Sequence, residues 1–428
     1  MNIAIDKIDR SGLVPQKHVM PNGKVLAIFP DNNTELVKID FCFPAGAAYQ
    51  SKLLQAAATN SLLGECSKKH SIQEVAEWMD FRGIVVDKNV DTVMSTLSFY
   101  TLRRYVPELL PLVYELFAEP VFGEHEFAVF LSKRRQKILS AQMETGKVAR
   151  NLFYADIFGR THPYGVYAEV EDVDKLTVDD VRRFYSEHYN LSQMQMVVAG
   201  HCDARLVELI DKQFGQVSCD EQGTGDIFEP ADYPIPAHET FRAVNAVVPN
   251  AVQSTLRIGR RLPWRWDSQE YALFTVLNTI LGGYFGSRLM SNIREEKGYT
   301  YGIYSYSHLM RDNLLFFINT DVGCQYSQPA LKDIYKEMER LCNEPVDTDE
   351  LEVVRHYLVG DFLRSIDGIF ERGERYRSMQ TSRIDERFTD NFFHAIATCT
   401  PQQLQAVARQ AFDRDAFTQV VVGQESIQ

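Results

Sequence analysis

Three scarcities bound what this chain can be. The sequence has only seven cysteines, at positions 42, 66, 202, 219, 324, 342 and 399, and no two are spaced as Cys-x-x-Cys. Neither a disulfide framework nor a thiolate zinc site is expected from such a set. Basic residues are outnumbered, 45 Lys and Arg against 58 Asp and Glu, for a formal net charge of −13. That balance opposes a phosphate-binding surface, so nucleic acid is not an expected partner. Uninterrupted apolar runs of the roughly 18–20 residues needed to span a bilayer are missing, so no membrane partner is expected. The opening MNIAIDKIDRSGLVPQ also lacks the basic and then apolar segments of a secretory signal, and a cytoplasmic location is expected.

What the chain does have is length and a repeat. Its 428 residues, 45% hydrophobic and 24% charged, are too many for one ordinary core and predict at least two soluble domains. Thr177-Val-Asp-Asp reads as an N-cap with an acid at N3, and 20 residues after Thr177 a β-branched strand begins at Val197. Thr400-Pro-Gln-Gln repeats the cap with Pro at N1, and Val420 again follows by 20, an offset of 223 between the two caps. Glu119-Pro120-Val121 recurs as Glu344-Pro345-Val346 at an offset of 225, each closing an amphipathic helix. Asn60-Ser61-Leu62-Leu63-Gly64 recurs as Asn278-Thr279-Ile280-Leu281-Gly282 at an offset of 218. Loop insertions of a few residues account for the drift.

Each unit mixes strands and helices without strict βαβ alternation. Strands are predicted at Val37–Phe43 and Thr92–Phe99, and Ser71-Ile-Gln-Glu74 reads as a capping box. The fold class is therefore α+β: two tandem homologous sandwiches of helices on mainly antiparallel sheets. The expected domains are 1–220 and 240–428, joined by a linker over 221–239 that is rich in Gly, Pro and acids.

This duplicated layout, with Arg294 followed by Gly298 and Tyr301 shortly after the turn Gly282-Gly-Tyr-Phe-Gly-Ser-Arg-Leu289, resembles the M16 peptidases: insulinase, pitrilysin and the mitochondrial processing peptidase. The resemblance runs over nearly the whole chain. It implies a first-half helix bearing His-x-x-Glu-His, where two His at i and i+4 grip Zn²⁺ and the Glu activates metal-bound water, with a distal Glu as a further ligand. Anchored on Cys66–Val75, that motif falls on Ala57, Asn60 and Ser61. None of the three can bind zinc as imidazole does or act as a base. The distal segment, Ser132–Met143, contains no acid. His125, between Glu124 and Glu126, reads as a solvated polar turn, and Glu74 near His70 as a helix cap, so no transplanted metal site is expected.

By the same resemblance, Arg294 and Tyr301 are the substrate-binding pair, holding peptide backbone and stabilising the oxyanion at a zinc site on another half. The plainer alternative makes them a surface charge and a packed aromatic within Tyr299–Tyr306. The Tyr-rich strand there could also pair with an extended peptide, and the glycines of 282–286 serve either a close-approaching peptide or a tight turn. Two functions follow. One is the non-catalytic, peptide-binding subunit of a zinc metallopeptidase whose metal sits in a separate zinc-bearing partner; the other is a proteolytically inactive structural or peptide-binding homologue, as a homodimer. In both, this chain itself holds no zinc.

Overall fold

The computed structural model describes residues 11–217, 233–236, 240–311, 313–385 and 387–424. The first half runs β1 (Gln16–Val19), β2 (Val25–Pro30), β3 (Leu36–Phe43), α1 (Gln55–Leu62), α2 (Ile72–Phe81), β4 (Val85–Val90), β5 (Ser95–Leu102), α3 (Val106–Ala118), α4 (Glu124–Gln142), α5 (Thr145–Phe158), α6 (Val170–Lys175), α7 (Val178–His188), β6 (Gln195–Gly200) and α8 (Ala204–Phe214). The second runs β7 (Arg242–Val247), β8 (Gln253–Leu262), α9 (Gln269–Asn278), β9 (Ile303–Met310), β10 (Asn313–Gly323), α10 (Ser327–Asn343), α11 (Thr348–Ser365), α12 (Ile369–Thr381), α13 (Arg387–Thr398), α14 (Pro401–Ala411) and β11 (Thr418–Gly423).

The two sheets have one topology. The first is ordered β1-β2-β6-β3-β5-β4 and the second β7-β11-β8-β10-β9, so that removal of β1 superposes one order on the other. Each contains a single parallel pair, β2 with β6 and β7 with β11, among antiparallel neighbours. The repeat offsets are those of the elements: β6 starts at Gln195 and β11 at Thr418, 223 residues apart, and α3 and α10 end at Ala118 and Asn343, 225 apart. The capping boxes at Ser71, Thr177 and Thr400 all form, each satisfying two otherwise orphaned backbone donors. Of the expected linker 221–239 only residues 233–236 are among those described, and there Tyr233 Oη donates to Ala48 O at 2.6 Å.

One face of each sheet is covered by its own helices. Ile39, Phe41, Phe43 and Phe99 pack against α3 and α7 in the first half, with Phe41 and Phe117 edge to face at 5.2 Å; Leu256, Ile258 and Phe316 pack against α9, α10 and α14 in the second. The other face is covered by exchange. Helix α5, from the first half, lies on the second sheet through Ala149, Phe153, Ile157 and Phe158 against Leu315, Phe317, Val420 and Val422. Helix α12, from the second half, lies on the first sheet through Ile369, Phe370 and Tyr376 against Ala27, Phe29, Val197 and Ala199. Gly373 faces the sheet at this contact, where an added Cβ would meet Ala199 and Val197 at 3.7 Å, an ordinary contact distance. Among the described residues no helix is long and apolar enough to cross a membrane.

The α12 contact also buries charge. Lys38 and Asp40, each 1% exposed, stand on the outer face of β3. Arg377 Nε lies 3.0 Å from Asp40 Oδ2, and Lys38 Nζ donates to Glu374 Oε1 at 2.6 Å. Burial pushes the Asp40 carboxyl up against the pull of Arg377 and Lys38. Removing one member of such a cluster leaves the others uncompensated in a poor solvent for charge. Asp40→Ala is expected to lower unfolding stability by about 3 kcal/mol, and Glu374→Gln, whose own carboxylate is half exposed, by about 1 kcal/mol; urea midpoints at unchanged m-value check both.

Asp180 supplies a pH signature. Its carboxylate takes hydrogen bonds from Lys52 Nζ at 2.7 Å, Thr177 Oγ1 at 2.7 Å and Arg183 Nη2 at 2.6 Å. Burial works to raise its pKa, but these donors outweigh it and hold the group at about 2. A carboxyl depressed in the folded state contributes stability that is complete above its unfolded value near 4 and is lost as pH falls through the folded value. Asp180→Asn should therefore remove up to about 2 kcal/mol from the stability difference between pH 5 and pH 2, read as a flatter acid limb in thermal melts.

Candidate functional site

Helix α1 holds the three motif positions without any metal chemistry. Gln55 fastens its start: the side chain accepts from Ser51 N at 3.0 Å and donates to Asp180 O at 2.8 Å. Ala57 is half-buried, Asn60 is buried and Ser61 is exposed. Asn60 Nδ2 donates to the carbonyl of Asn89 on edge strand β4 at 3.1 Å, and Tyr189 Oη donates to Asn60 Oδ1 at 3.3 Å. Its repeat partner does the same work: Asn278 Nδ2 donates to Ser305 O on edge strand β9 at 3.3 Å. Where the resemblance implies a general base, this chain has an amide that pins a strand.

The surroundings of α1 are cationic. Lys88 Nζ donates to Ser61 O at 2.9 Å and pairs with Glu65, and burial pulls the ammonium down against that pairing. A cation there repels a metal at position 61. Facing α1, helix α4 carries Arg134, Arg135 and Lys137 where a distal acid would stand, and Arg135 is ion-paired to Asp174. Among the described residues no three His, Cys, Asp or Glu side chains converge as a metal site. His125 lies in the first turn of α4 rather than in a loop, still exposed; Glu74 is the capping-box acid of α2.

Arg294 and Tyr301 sit on a built scaffold with free heads. Residues Met290–Glu296 form a π-helical turn closed by Gly298, whose φ of +65° suits the left-handed cap, with Gly298 N donating to Arg294 O at 3.1 Å. Asn292 Nδ2 donates to buried Glu337 at 2.5 Å, and Lys297 pairs with Asp333 at 2.5 Å. The Arg294 guanidinium lies 4.5 Å from the centroid of Phe285, itself exposed, and its Nη1 is buried without a hydrogen-bond partner. Thr300 Oγ1 donates to Asp321 O at 2.7 Å and locks the chain, while Tyr301 stays 92% exposed. Tyr301 precedes β9 and is not a packed strand aromatic. No hydrogen bond or ring contact joins Arg294 to Tyr301 among the described residues. Gly282 has a packing reason, since a Cβ would lie 2.7 Å from Ser305 N.

A cleft of about 900 Å³ opens between the halves. Its floor is β9 from Ser307 to Met310, and its walls come from α5, residues 163–167, the turn 91–93 and α12. Among the described residues strand β9 is the sheet edge, paired only with β10. Because Ser305 turns its carbonyl outward to Asn278, Ser307 and Leu309 present their backbone groups to the same open edge. Tyr304 and Tyr306 are partly exposed on this strand, and Tyr306 stacks on Phe317 at 4.9 Å. Desolvation by its neighbours, then the Arg150 charge, lowers the His308 pKa. Sequence reasoning singled out the strand but not Arg150 or the other cleft walls, which come from segments distant in the chain and share no spacing.

The sequence pattern described as Peptidase M16 inactive domain matches residues 175–358. An uncharacterized zinc protease of Streptomyces coelicolor is 25% identical over 372 residues, 84% of this chain and 78% of that protein. The non-peptidase homolog YmxG of Helicobacter pylori is 21% identical, over 79% and 77%. The crystal structure of a peptidase M16 inactive domain from Pseudomonas fluorescens shares the fold, with a TM-score of 0.81 at 21% identity over 97% of this chain and 99% of that one. Residues 175–358 thus carry the M16 inactive-domain sequence pattern, and over most of its length the chain is similar in sequence and in fold to M16 peptidase homologues, some named as zinc proteases and one as a non-peptidase.

Proposed function

We propose that this protein is the non-catalytic, peptide-binding subunit of an M16-type metallopeptidase, working with a separate subunit that carries the zinc. The observation that carries the reading is the state of Arg294 and Tyr301. Their backbones are fixed by Gly298, Thr300, Asn292 and Lys297, yet a guanidinium nitrogen is unpartnered and the phenol is 92% exposed. A solvent-facing tyrosine on so constrained a turn does little for folding, whereas a surface phenol, seven residues after a half-buried guanidinium, suits an oxyanion or peptide carbonyl supplied by another chain. The open edge of β9 supports peptide capture by strand addition, in which backbone groups of Ser307 and Leu309 pair with an extended substrate.

A second reading has its own observation. Asn60 and Asn278 make the same bond to an edge strand, so the helix that would bear zinc has become a copy of one that pins a strand, as suits an inactive homodimeric scaffold. The YmxG relative is named a non-peptidase homolog, which agrees with either reading.

Purified protein should show no peptidase activity and no stoichiometric zinc alone, and should gain activity when mixed with a zinc-bearing M16 subunit from the same organism. In that mixture Arg294→Ala or Tyr301→Phe should lower kcat/KM by about a hundredfold, followed by cleavage of a quenched fluorescent peptide. Zinc and activity in this chain alone overturn both readings; a mixture indifferent to the two substitutions selects the scaffold.

A further inference from the structure

The outer face of the second sheet holds a charge that its counterpart in the first sheet neutralises and this one does not. In the first sheet Asp40 pairs in register with Val197, and in the second Arg257 pairs with Val420. Val197 and Val420 are repeat equivalents, 223 residues apart, so Arg257 stands where Asp40 does. Asp40 receives Arg377 from α12. Arg257 receives only rings from α5 and β10: Phe317 at 4.3 Å, Phe153 at 5.5 Å and Tyr154 at 5.7 Å. It is 8% exposed, and among the described residues its Nε has no hydrogen-bond partner and no carboxylate pairs with it. Cation–π contacts return less than a buried guanidinium loses in desolvation, so the site lacks an anion.

The missing anion has a route of entry. Tyr154, which covers Arg257, lines the cleft beside Arg150, and Arg150 is exposed there with its guanidinium over the Tyr154 ring at 5.3 Å and, among the described residues, no acidic partner. Arg375 on the opposite wall also lacks an acid, lying over Phe362 and Phe388. Two of the cleft's acids are engaged within the chain and the third sits at a helix start. Asp91 accepts from the N–H groups of Val93 and Met94 at 2.7 Å each, Glu374 holds Lys38, and Glu371 sits in the first turn of α12, where the helix dipole favours it. Arg150, Arg311 and Arg375 thus face Asp91, Glu371 and Glu374 across the cleft, with Arg150 standing away from the carboxylates that are bonded within the chain, and the floor is the open backbone edge of Ser307 and Leu309.

We infer that the cleft selects extended peptides bearing a carboxylate, which docks on Arg150 in front of Arg257 while the peptide backbone pairs with the free edge of β9. This rests on the peptide-binding reading above and adds the chemical class of the ligand. The carboxylate belongs either to the peptide's C-terminus or to an Asp or Glu side chain, two sources of the same group. A guanidinium meets either one with two parallel hydrogen bonds.

The test is fluorescence anisotropy on the full-length protein with three labelled peptides of one neutral, β-prone sequence: free C-terminus, amidated C-terminus, and amidated with a single internal Glu. At least one carboxylate peptide is expected to bind about tenfold more tightly than the neutral amide, and which of them does identifies the source. The gain should vanish in Arg150→Gln, an exposed substitution that leaves folding intact, and shrink in Arg257→Met, with thermal melts confirming that variant's fold. Equal binding of all three peptides, unchanged by Arg150→Gln, overturns the inference and leaves the peptide-binding reading standing. Failure of every peptide to bind overturns both.

Discussion

The ion pair between Arg377 and Asp40 crosses from a helix of the second half to a strand of the first, and much of the remaining architecture depends on that crossing. Once α12 lies on the first sheet, its Glu374 neutralises Lys38, its Ile369 and Phe370 cover an apolar face, and its far side becomes a wall of the cleft. The reciprocal placement of α5 on the second sheet is more apolar and forms the facing wall. The cleft is therefore a product of the exchange, because each wall belongs to the half opposite the sheet it covers.

Duplication lets one half serve as a control for the other. The shared bond from Asn60 and Asn278 to an edge strand gives the two equivalent helices one structural duty: the amide satisfies a backbone carbonyl that the edge of a sheet leaves open. The departure at Asp40 and Arg257 is equally informative, since equivalent positions hold opposite charges and only one has its counter-ion inside the chain.

Much of this was readable from residues alone. The caps at Ser71, Thr177 and Thr400 and the offsets between repeats are local signals, set by hydrogen bonding within one helical turn, and they placed helices and strands. That Ala57, Asn60 and Ser61 offer neither imidazole nor carboxylate is likewise plain from their identities. The exchange of α5 and α12 was not, since an amphipathic helix does not record which sheet its apolar face will meet. Nor was the partnering of Arg257: its environment is made by Phe153, Tyr154 and Phe317, which lie roughly 60 to 100 residues away on either side and converge only through that exchange.

The exchange has a further consequence for how the molecule comes into being. During synthesis the first half is complete by α8, yet Ala27, Phe29, Val197 and Ala199 have no cover, and Lys38 and Asp40 face outward without Arg377 or Glu374. More than 150 residues lie between α8 and α12. A nascent chain thus carries a half-finished sheet, with one apolar face and a charged strip open to other proteins, until nearly the whole polypeptide has left the ribosome. The last helices close the first domain as well as their own, so completion of the two halves is a single late event.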